Sequence, residues 1–566
     1  EMKDLHSQLK DKLDEWLLHT ESPGYRELLH SVLEMTLLAA DEYREVKRRE
    51  QGLDFHDLEQ LTLDMLHDHP EVAERWQHRL RYLMVDEFQD TNNVQKNILD
   101  LLTEDVESIK RFVVGDGKQS IYQFRGADVA VFNRTDTEMR QTGGEAVSLD
   151  VNFRTQHRLI SYINSLFRFL MRKEEGDPDY VVAYEPLVAH RRPPHSNPAV
   201  ELLATTIEKD SDNDPRQIEA ERVAKRIRLM VQRAEPLIWH EQEGEGQSRP
   251  VTYGDIALLL ATRTHVRTYE QALRNEGIPY MIVGGRGFYE KQEVLDVLNV
   301  LKLVQNRDDE LALLGFLRSP FVHLSDETLY WLTREQRLSQ AFFYLESPPA
   351  EVARDEWDRL CQAREQLLSW ERVKQTENVH RLIQSILDAS GYLSVLLALP
   401  NGEQAALNVE KLLDIAREST QQGHSLFDFL EWIDTLREAD LEETEAEWIR
   451  DRGNAVVIMT VHASKGLEFP VVVLPELSRQ LLQADGTRVL YAPGRGLAVK
   501  KFRESGEAEG DGLFDSLRDM EQDRELQEAS RLFYVAVTRA RDYLLLAGSQ
   551  KEQKKPSDDL KNQWLD

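Results

Sequence analysis

Short apolar runs rich in β-branched residues recur along this chain, each followed at once by polar or glycine-containing residues. They lie at Tyr82–Val85, 112–114, Ile256–Leu260, Val456–Thr460, 471–474 and 543–546. Runs without alternation suit strands buried on both faces, as in parallel sheets covered by helices. Between them the apolar positions recur every three or four residues. Residues 216–233, for example, put Ile218, Val223, Ile227 and Met230 on one helical face. This is the α/β pattern, in which ligands bind at the carboxyl ends of the strands. Residues 321–450 depart from it, with Leu, Trp and Glu at helical spacing and almost no β-type run, and read as a helical insertion. The first 80 residues also read as helical. Residues 210–215 and 241–247 read as loops, and the tail after Gly548, with Lys551, Lys554, Lys555 and Pro556, as the start of a linker.

Length and composition narrow the class. A chain of 566 residues exceeds what one core usually serves, and 41% hydrophobic with 30% charged residues describes a folded, helix-rich protein. Neither a membrane-length apolar run nor a signal-peptide pattern at Glu1-Met2-Lys3-Asp4-Leu5 is present, so the expected location is the cytoplasm, with no membrane partner. The single cysteine, Cys361, excludes an internal disulfide and a four-cysteine iron–sulfur cluster. His67-Asp68-His69 reads as a solvated turn before Pro70. A formal charge of −31 would by itself argue against a polyanionic partner. Much of the excess, however, sits at Glu438, Asp440, Glu442, Glu443, Glu445 and Glu447, a solvated helix face that leaves a local groove free to be basic.

Five segments carry candidate chemistry. In Arg81-Tyr82-Leu83-Met84-Val85-Asp86-Glu87-Phe88-Gln89-Asp90-Thr91, an apolar strand ends in adjacent carboxylates. Nucleotide hydrolases use this arrangement to hold Mg²⁺ with one acid and orient the attacking water with the other. The second strand runs into Gly115-Asp116-Gly117-Lys118-Gln119-Ser120-Ile121-Tyr122-Gln123-Phe124-Arg125-Gly126. Here a polar sensor, Gln119, precedes two aromatics and an arginine, which are suited to stacking on bases and meeting phosphates. The competing reading makes Tyr122 and Phe124 ordinary core residues. The third segment is Leu149-Asp150-Val151-Asn152-Phe153-Arg154-Thr155, and the fourth runs from Val456 through Thr460-Val461-His462-Ala463-Ser464-Lys465-Gly466-Leu467-Glu468. The fifth, Arg531-Leu532-Phe533-Tyr534-Val535-Ala536-Val537-Thr538-Arg539-Ala540-Arg541, is an apolar helix ending in arginines. Those arginines either pair with acids or neutralise charge on a transferring phosphoryl group.

In this order the five segments resemble motifs II to VI of the UvrD-like superfamily 1 DNA helicases, from about residue 50 to 548. Lys118 and Phe124 are similar to the AddA and RecB branch, as are Val283-Gly284-Gly285-Arg286-Gly287-Phe288-Tyr289-Glu290, Leu317-Arg318-Ser319-Pro320 and Leu324-Ser325-Asp326. The resemblance implies two RecA-like P-loop motor domains that enclose ATP and translocate 3′ to 5′ on single-stranded DNA. It implies unwinding of duplex DNA in double-strand break repair and recombination, beside an AddB-like nuclease partner. It implies Asp86 as the Mg²⁺ ligand, Glu87 as the residue that activates water, Gln119 as the γ-phosphate sensor, and Arg154 and Arg539 as contacts to that phosphate. Glu468 would bind the ribose with Gly466 beside the nucleotide, and Phe153 would pack on adenine. Tyr122, Phe124, Arg125, Thr460 and His462 would line the single-strand track.

Two departures qualify that expectation. No Gly-x-x-x-x-Gly-Lys-Ser/Thr occurs in the 566 residues, and the nuclease segment that AddA relatives carry is absent. The chain therefore reads as a fragment: a partial first motor domain at 1–148, a second at 149–320 and 451–548, a helical insertion at 321–450, and a linker at 549–566. On this reading the fragment alone hydrolyses ATP negligibly. The alternative is a non-catalytic scaffold derived from a helicase, which binds DNA or docks a partner protein.

Overall fold

The structure, a computed structural model, describes residues 23–103, 110–191, 198–208, 214–242, 245–283, 288–399, 402–421, 423–438, 454–482, 488–502, 508–509 and 512–551. The acidic stretch after Glu438 and the linker after Lys551 lie outside the described residues. Backbone contacts divide the chain into two units. One comprises residues 1–210, 476–544 and 548–566; the other comprises 211–475 and 545–547.

The first unit opens with helices α1 (Pro23–Arg49), α2 (Phe55–Asp68) and α3 (Pro70–Gln77). Asp54 caps α2 in a reciprocal box with Asp57, and Lys47 of α1 reaches both carboxylates at 2.9 and 2.6 Å. Strand β1 (Tyr82–Val85) follows, then α4 (Asn93–Thr103) and β2 (Lys110–Val113), which pairs with β1 in parallel, Met84 opposite Phe112. After α5 (Val129–Gln141) come β3 (Val151–Asn152), α6 (His157–Leu170), β4 (Val188–Ala189) and β5 (Val200–Ile207).

The second unit begins at α7 (Pro215–Gln232), whose Val223, Ile227 and Met230 are buried as the period demands. Of residues 241–247, expected as a loop, the described ones instead take part in an antiparallel ladder of β6 (Ile238–Gln242) and β7 (Glu245–Arg249). Polar residues give a hairpin ladder no hydrophobic alternation to announce it. The core strands are β8 (Ile256–Leu260), then after α8 (Val266–Asn275) β9 (Tyr280–Ile282), and later β10 (Val456–Thr460) and β11 (Phe469–Leu474). They lie in the order β11-β8-β10-β9, all parallel, so the chain leaves the sheet after β9 and returns to fill the place between β8 and β9.

In that excursion the helices from α9 (Gln292–Gln305) to α17 (Leu426–Glu438) build one hydrophobic core, from Phe288 to Ile433. Within it Phe321 stacks on Tyr392 at 4.1 Å, and the Tyr392 hydroxyl donates to buried Asp296 at 2.8 Å. Burial pushes the Asp296 carboxyl above its ordinary range.

The chain then returns to the first unit through the hairpin β12 (Val489–Ala492) and β13 (Gly496–Val499). The 27-residue helix α18 (Gly512–Thr538) follows and leads into the last strand, β14 (Ala540–Lys551), whose residues 545–547 belong to the second unit. Phe514 and Leu517 of α18 pack on the hairpin, and Phe533 and Tyr534 on Phe167 of α6. Among the described residues no helix is long and apolar enough to cross a membrane.

Candidate nucleotide and nucleic-acid site

The carboxylates Asp86 and Glu87 stand where β1 ends, and the backbone there is tightly constrained. Glu87 holds a left-handed conformation at φ 50°, uncommon for a residue with a side chain, and its N–H donates to the Asp86 carboxylate at 2.9 Å. The ladder continues past the strands, Val114 N–H to Val85 O and Phe88 N–H to Val114 O. Phe88 is fully buried and anchors the turn beside Phe132.

Gln89 ties the two acidic and polar segments together. Its buried amide donates to the Glu87 carboxylate, its carbonyl oxygen accepts from the Asp116 N–H at 2.9 Å, and its backbone carbonyl accepts from the Ser120 hydroxyl at 2.9 Å. Gly115 makes this approach possible. A Cβ there would stand 2.7 Å from the Gln89 side-chain oxygen and 2.8 Å from Phe132. The glycine therefore serves close packing rather than a left-handed turn.

Asp116 caps the turn that follows, accepting from the Lys118 N–H at 3.0 Å, from the Gln119 side-chain amide at 2.9 Å and from Lys118 Nζ at 2.8 Å. Beyond it, Tyr122 and Phe124 meet edge to face with centroids 6.0 Å apart, and the Arg125 guanidinium lies 5.5 and 5.6 Å from the two rings. Phe124 is 66% exposed, so it does not serve the core; Tyr122 is half-buried, and burial with Asp90 and Glu87 nearby raises its hydroxyl pKa. The aromatic cluster and the motif of paired acids thus share one surface region.

Phe153 and Arg154 follow β3. Asn152 organises their turn by accepting from the N–H groups of Arg154 and Thr155 at 3.0 and 2.7 Å. The Phe153 ring is exposed and lies 4.8 Å from that of His190. The turn is stitched to the strand after α18: the Thr155 hydroxyl donates to Ala540 O at 3.1 Å, the Gln156 N–H to Arg541 O at 3.0 Å, and Arg191 bridges Arg154 O to Asp542. Arg539, 3% exposed, ends α18 with its guanidinium donating to Val535 O and to the Thr538 hydroxyl. Its charge lies near Tyr534, whose hydroxyl pKa is raised by burial and then by Asp116. Lys118 sits 5.9 Å over the Tyr534 ring. Asp86, Glu87, Gln119, Phe153, Arg154 and Arg539 therefore belong to one folded unit.

Thr460, His462, Gly466 and Glu468 belong to the other unit. Thr460 ends β10 and the others follow it at the carboxyl edge of its sheet, where Val461 N–H continues the ladder to Leu260 O. The Thr460 hydroxyl accepts from the Ala463 N–H at 3.2 Å, the Ser464 hydroxyl donates to Val461 O at 2.7 Å, and Gly466 turns the chain at φ 82°. Glu468 is exposed.

Among the described residues no three histidine, cysteine or acidic side chains gather as a metal cage. Asp86 presents a single carboxylate at the end of β1, and Mg²⁺ is commonly bound through one or two carboxylates with water and substrate phosphates completing its shell. Sequence reasoning missed the linking residues: Gln89, Asn152 and Arg191 carry no chemistry of their own, and their partners are remote in the chain.

Residues 147–551 match the UvrD-like helicase C-terminal domain family, and residues 3–140 match the UvrD/REP helicase N-terminal domain family. The chain is also similar to bacterial proteins of the AddA type, whose names describe an ATP-dependent helicase/nuclease component. That of Listeria welshimeri is 30% identical over 99% of this chain and 47% of its own length. That of Bacillus mycoides is 29% identical over 100% and 47%, and that of Levilactobacillus brevis 30% over 90% and 43%. The chain thus spans about half the length of the curated relatives it matches.

Proposed function

Since the chain belongs to the UvrD-like helicase family, with two RecA-like motor domains, we propose that it is the motor portion of an ATP-dependent 3′-to-5′ DNA helicase. The helicase acts in double-strand break repair and recombination, paired with a nuclease partner. The observation that carries this reading is the hydrogen-bonded network from Glu87 through Gln89 to Asp116 and Ser120, beside half-buried Tyr122 and exposed Phe124 and Arg125. A hydrolytic carboxylate and a strand-stacking surface on two turns joined through Gln89 are what a DNA-driven motor needs. The motor domains divide by motif at 1–148 and at 149–320 with 451–548, around the insertion at 321–450.

Mg²⁺ held by Asp86 would supply charge neutralisation on the β- and γ-phosphates of ATP. Glu87 takes a proton from the attacking water, and its left-handed backbone with the Gln89 tether fixes its direction. Gln119, now held by Asp116, senses the γ-phosphate. Arg154 and Arg539 offset the charge that spreads over the transferring group. Phe153 packs on adenine, and Gly466 and Glu468 meet the ribose. Tyr122, Phe124, Arg125, Thr460 and His462 contact single-stranded DNA.

The test compares DNA-stimulated ATP hydrolysis by this chain with that of a longer polypeptide carrying a phosphate-binding loop. The chain alone should turn over negligibly, because the backbone cradle and lysine are missing from its sequence. In the longer polypeptide Glu87→Gln should abolish turnover and spare nucleotide binding. The second reading is a DNA-binding or docking scaffold. Full turnover by Glu87→Gln would mean that Glu87 is not the base, whereas no turnover by the longer wild-type polypeptide would favour the scaffold.

A further inference from the structure

Helix α18 carries a second set of charges, N-terminal to Arg539, that neither the motif roles nor the network above uses. Residues 524, 528 and 531 recur at helical spacing along one side. The Glu528 carboxylate accepts from the Gln123 backbone N–H at 3.2 Å. One turn on, Arg531 donates from Nε to the Ser120 carbonyl at 2.7 Å and from Nη1 to the Tyr180 carbonyl at 3.5 Å. At the start of the same face Asp523 accepts from the Tyr180 hydroxyl at 2.8 Å, and the Arg524 guanidinium lies 5.0 Å from the Tyr180 ring.

Arg531 is 4% exposed, and burial lowers its pKa to about 10. A guanidinium is costly to bury. Here it is directed to two backbone carbonyls of loops, which a merely solvated or ion-paired arginine would not reach. The contacts of Arg531 to Ser120 and of Glu528 to Gln123 bracket the loop on either side of Tyr122. Ser120 is also the residue whose hydroxyl reaches Gln89. One helix therefore grips, from behind, the loop whose front carries Gln119, Tyr122, Phe124 and Arg125.

We propose that Glu528 and Arg531 are positioning residues that fix the 120–125 loop against α18 and so set the orientation of its aromatic and arginine side chains. The inference rests on the proposed function only for the identity of the ligand that those side chains meet. Its effect is pre-organisation: a loop held at both ends spends less conformational freedom on binding than one that must be ordered by the ligand.

The test follows backbone amide exchange in this chain together with its affinity for a fluorescein-labelled oligothymidylate. Glu528→Ala should speed exchange at Gln123 and its neighbours by about tenfold, while amides of β8 and β10 keep their protection. Affinity should fall by about threefold or more. Glu528→Gln keeps an acceptor oxygen and should restore both. Arg531→Lys keeps the charge, loses the Nε donor and should loosen the same segment. The proposal is overturned if Gln123 exchange does not change in Glu528→Ala, if Glu528→Gln fails to rescue it, or if the loosening spreads evenly through the first unit. Should the loop loosen and be rescued while oligothymidylate affinity stays constant, positioning stands and the DNA reading of Tyr122, Phe124 and Arg125 falls.

Discussion

Strands β1 and β8 read alike in sequence, short apolar runs ending in polar residues, yet they sit in opposite environments. All five residues of β8 are fully buried, between β11 and β10. In the β1–β2 pair Tyr82 is 66%, Met84 70% and Phe112 59% exposed, on one face of two parallel strands. Parallel pairs are ordinarily covered on both faces. The comparison teaches that an apolar run states a preference for burial, while neighbouring elements decide whether it is met. In the first unit the described residues leave that face uncovered, although Asp86 and Glu87 at its end are held in place by the turn beyond it.

Substitutions of matched chemistry should have unequal effects in the two sheets. The largest effect should come from Leu258→Asp in β8, which buries an unpaired carboxylate and costs several kcal/mol, about enough to unfold the second unit. Met84→Asp in β1 should cost no more than about 0.5 kcal/mol. Urea midpoints of the two variants decide this, and equal losses would mean that the β1 face is covered after all. Next come the aromatics. Phe469→Ala in β11, where the ring is fully buried, should cost about 3 to 5 kcal/mol of stability. Phe124→Ala should leave stability nearly unchanged and weaken single-strand binding by about 1 to 3 kcal/mol with little change in salt slope. A destabilised Phe124→Ala with intact binding would return Phe124 to a packing role.

A smaller effect is expected at Tyr392→Phe, about 1 to 3 kcal/mol, because buried Asp296 loses a donor. Its thermal midpoint should fall most at neutral pH, because the Tyr392 hydrogen bond favours the ionised carboxyl that burial disfavours. The smallest effects are those of pH, and their signs oppose. Asp296 has a folded pKa raised above its unfolded value, so its contribution is full below about pH 4 and is lost as pH rises through the folded pKa. Asp54 is held far below the usual carboxylate range, first by the Asp57 N–H and then by Lys47. Its contribution is present above about pH 4 and fades as pH falls toward the folded pKa. Exchange protection of α9 (Gln292–Gln305) in Asp296→Asn, and of α2 in Asp54→Asn, each against wild type, should show these opposite limbs. Parallel limbs would discard the assignment.

Much of this protein was legible as pattern. The run Ile256–Leu260 specified a strand because five apolar residues bounded by polar ones fit little else of that length. The helix over 216–233 followed from its 3.6-residue period, and the order of motifs pointed to the family. The hairpin of Ile238–Gln242 with Glu245–Arg249 was not legible, since beyond Ile238 and Trp239 no apolar alternation marks its register. Nor was the service of Glu528 to Gln123, two residues far apart in the chain, because a charged residue on a helix face looks the same whether it meets water or a distant backbone N–H. What the sequence determined by itself were the elements and the chemical types at their ends, which depend on local spacing. Tertiary structure alone decided which of those ends meet, that Gly115 must be bare for Gln89 to reach Asp116, and that Phe124 faces solvent. Each of these depends on contacts between segments whose separation along the chain carries no local signal.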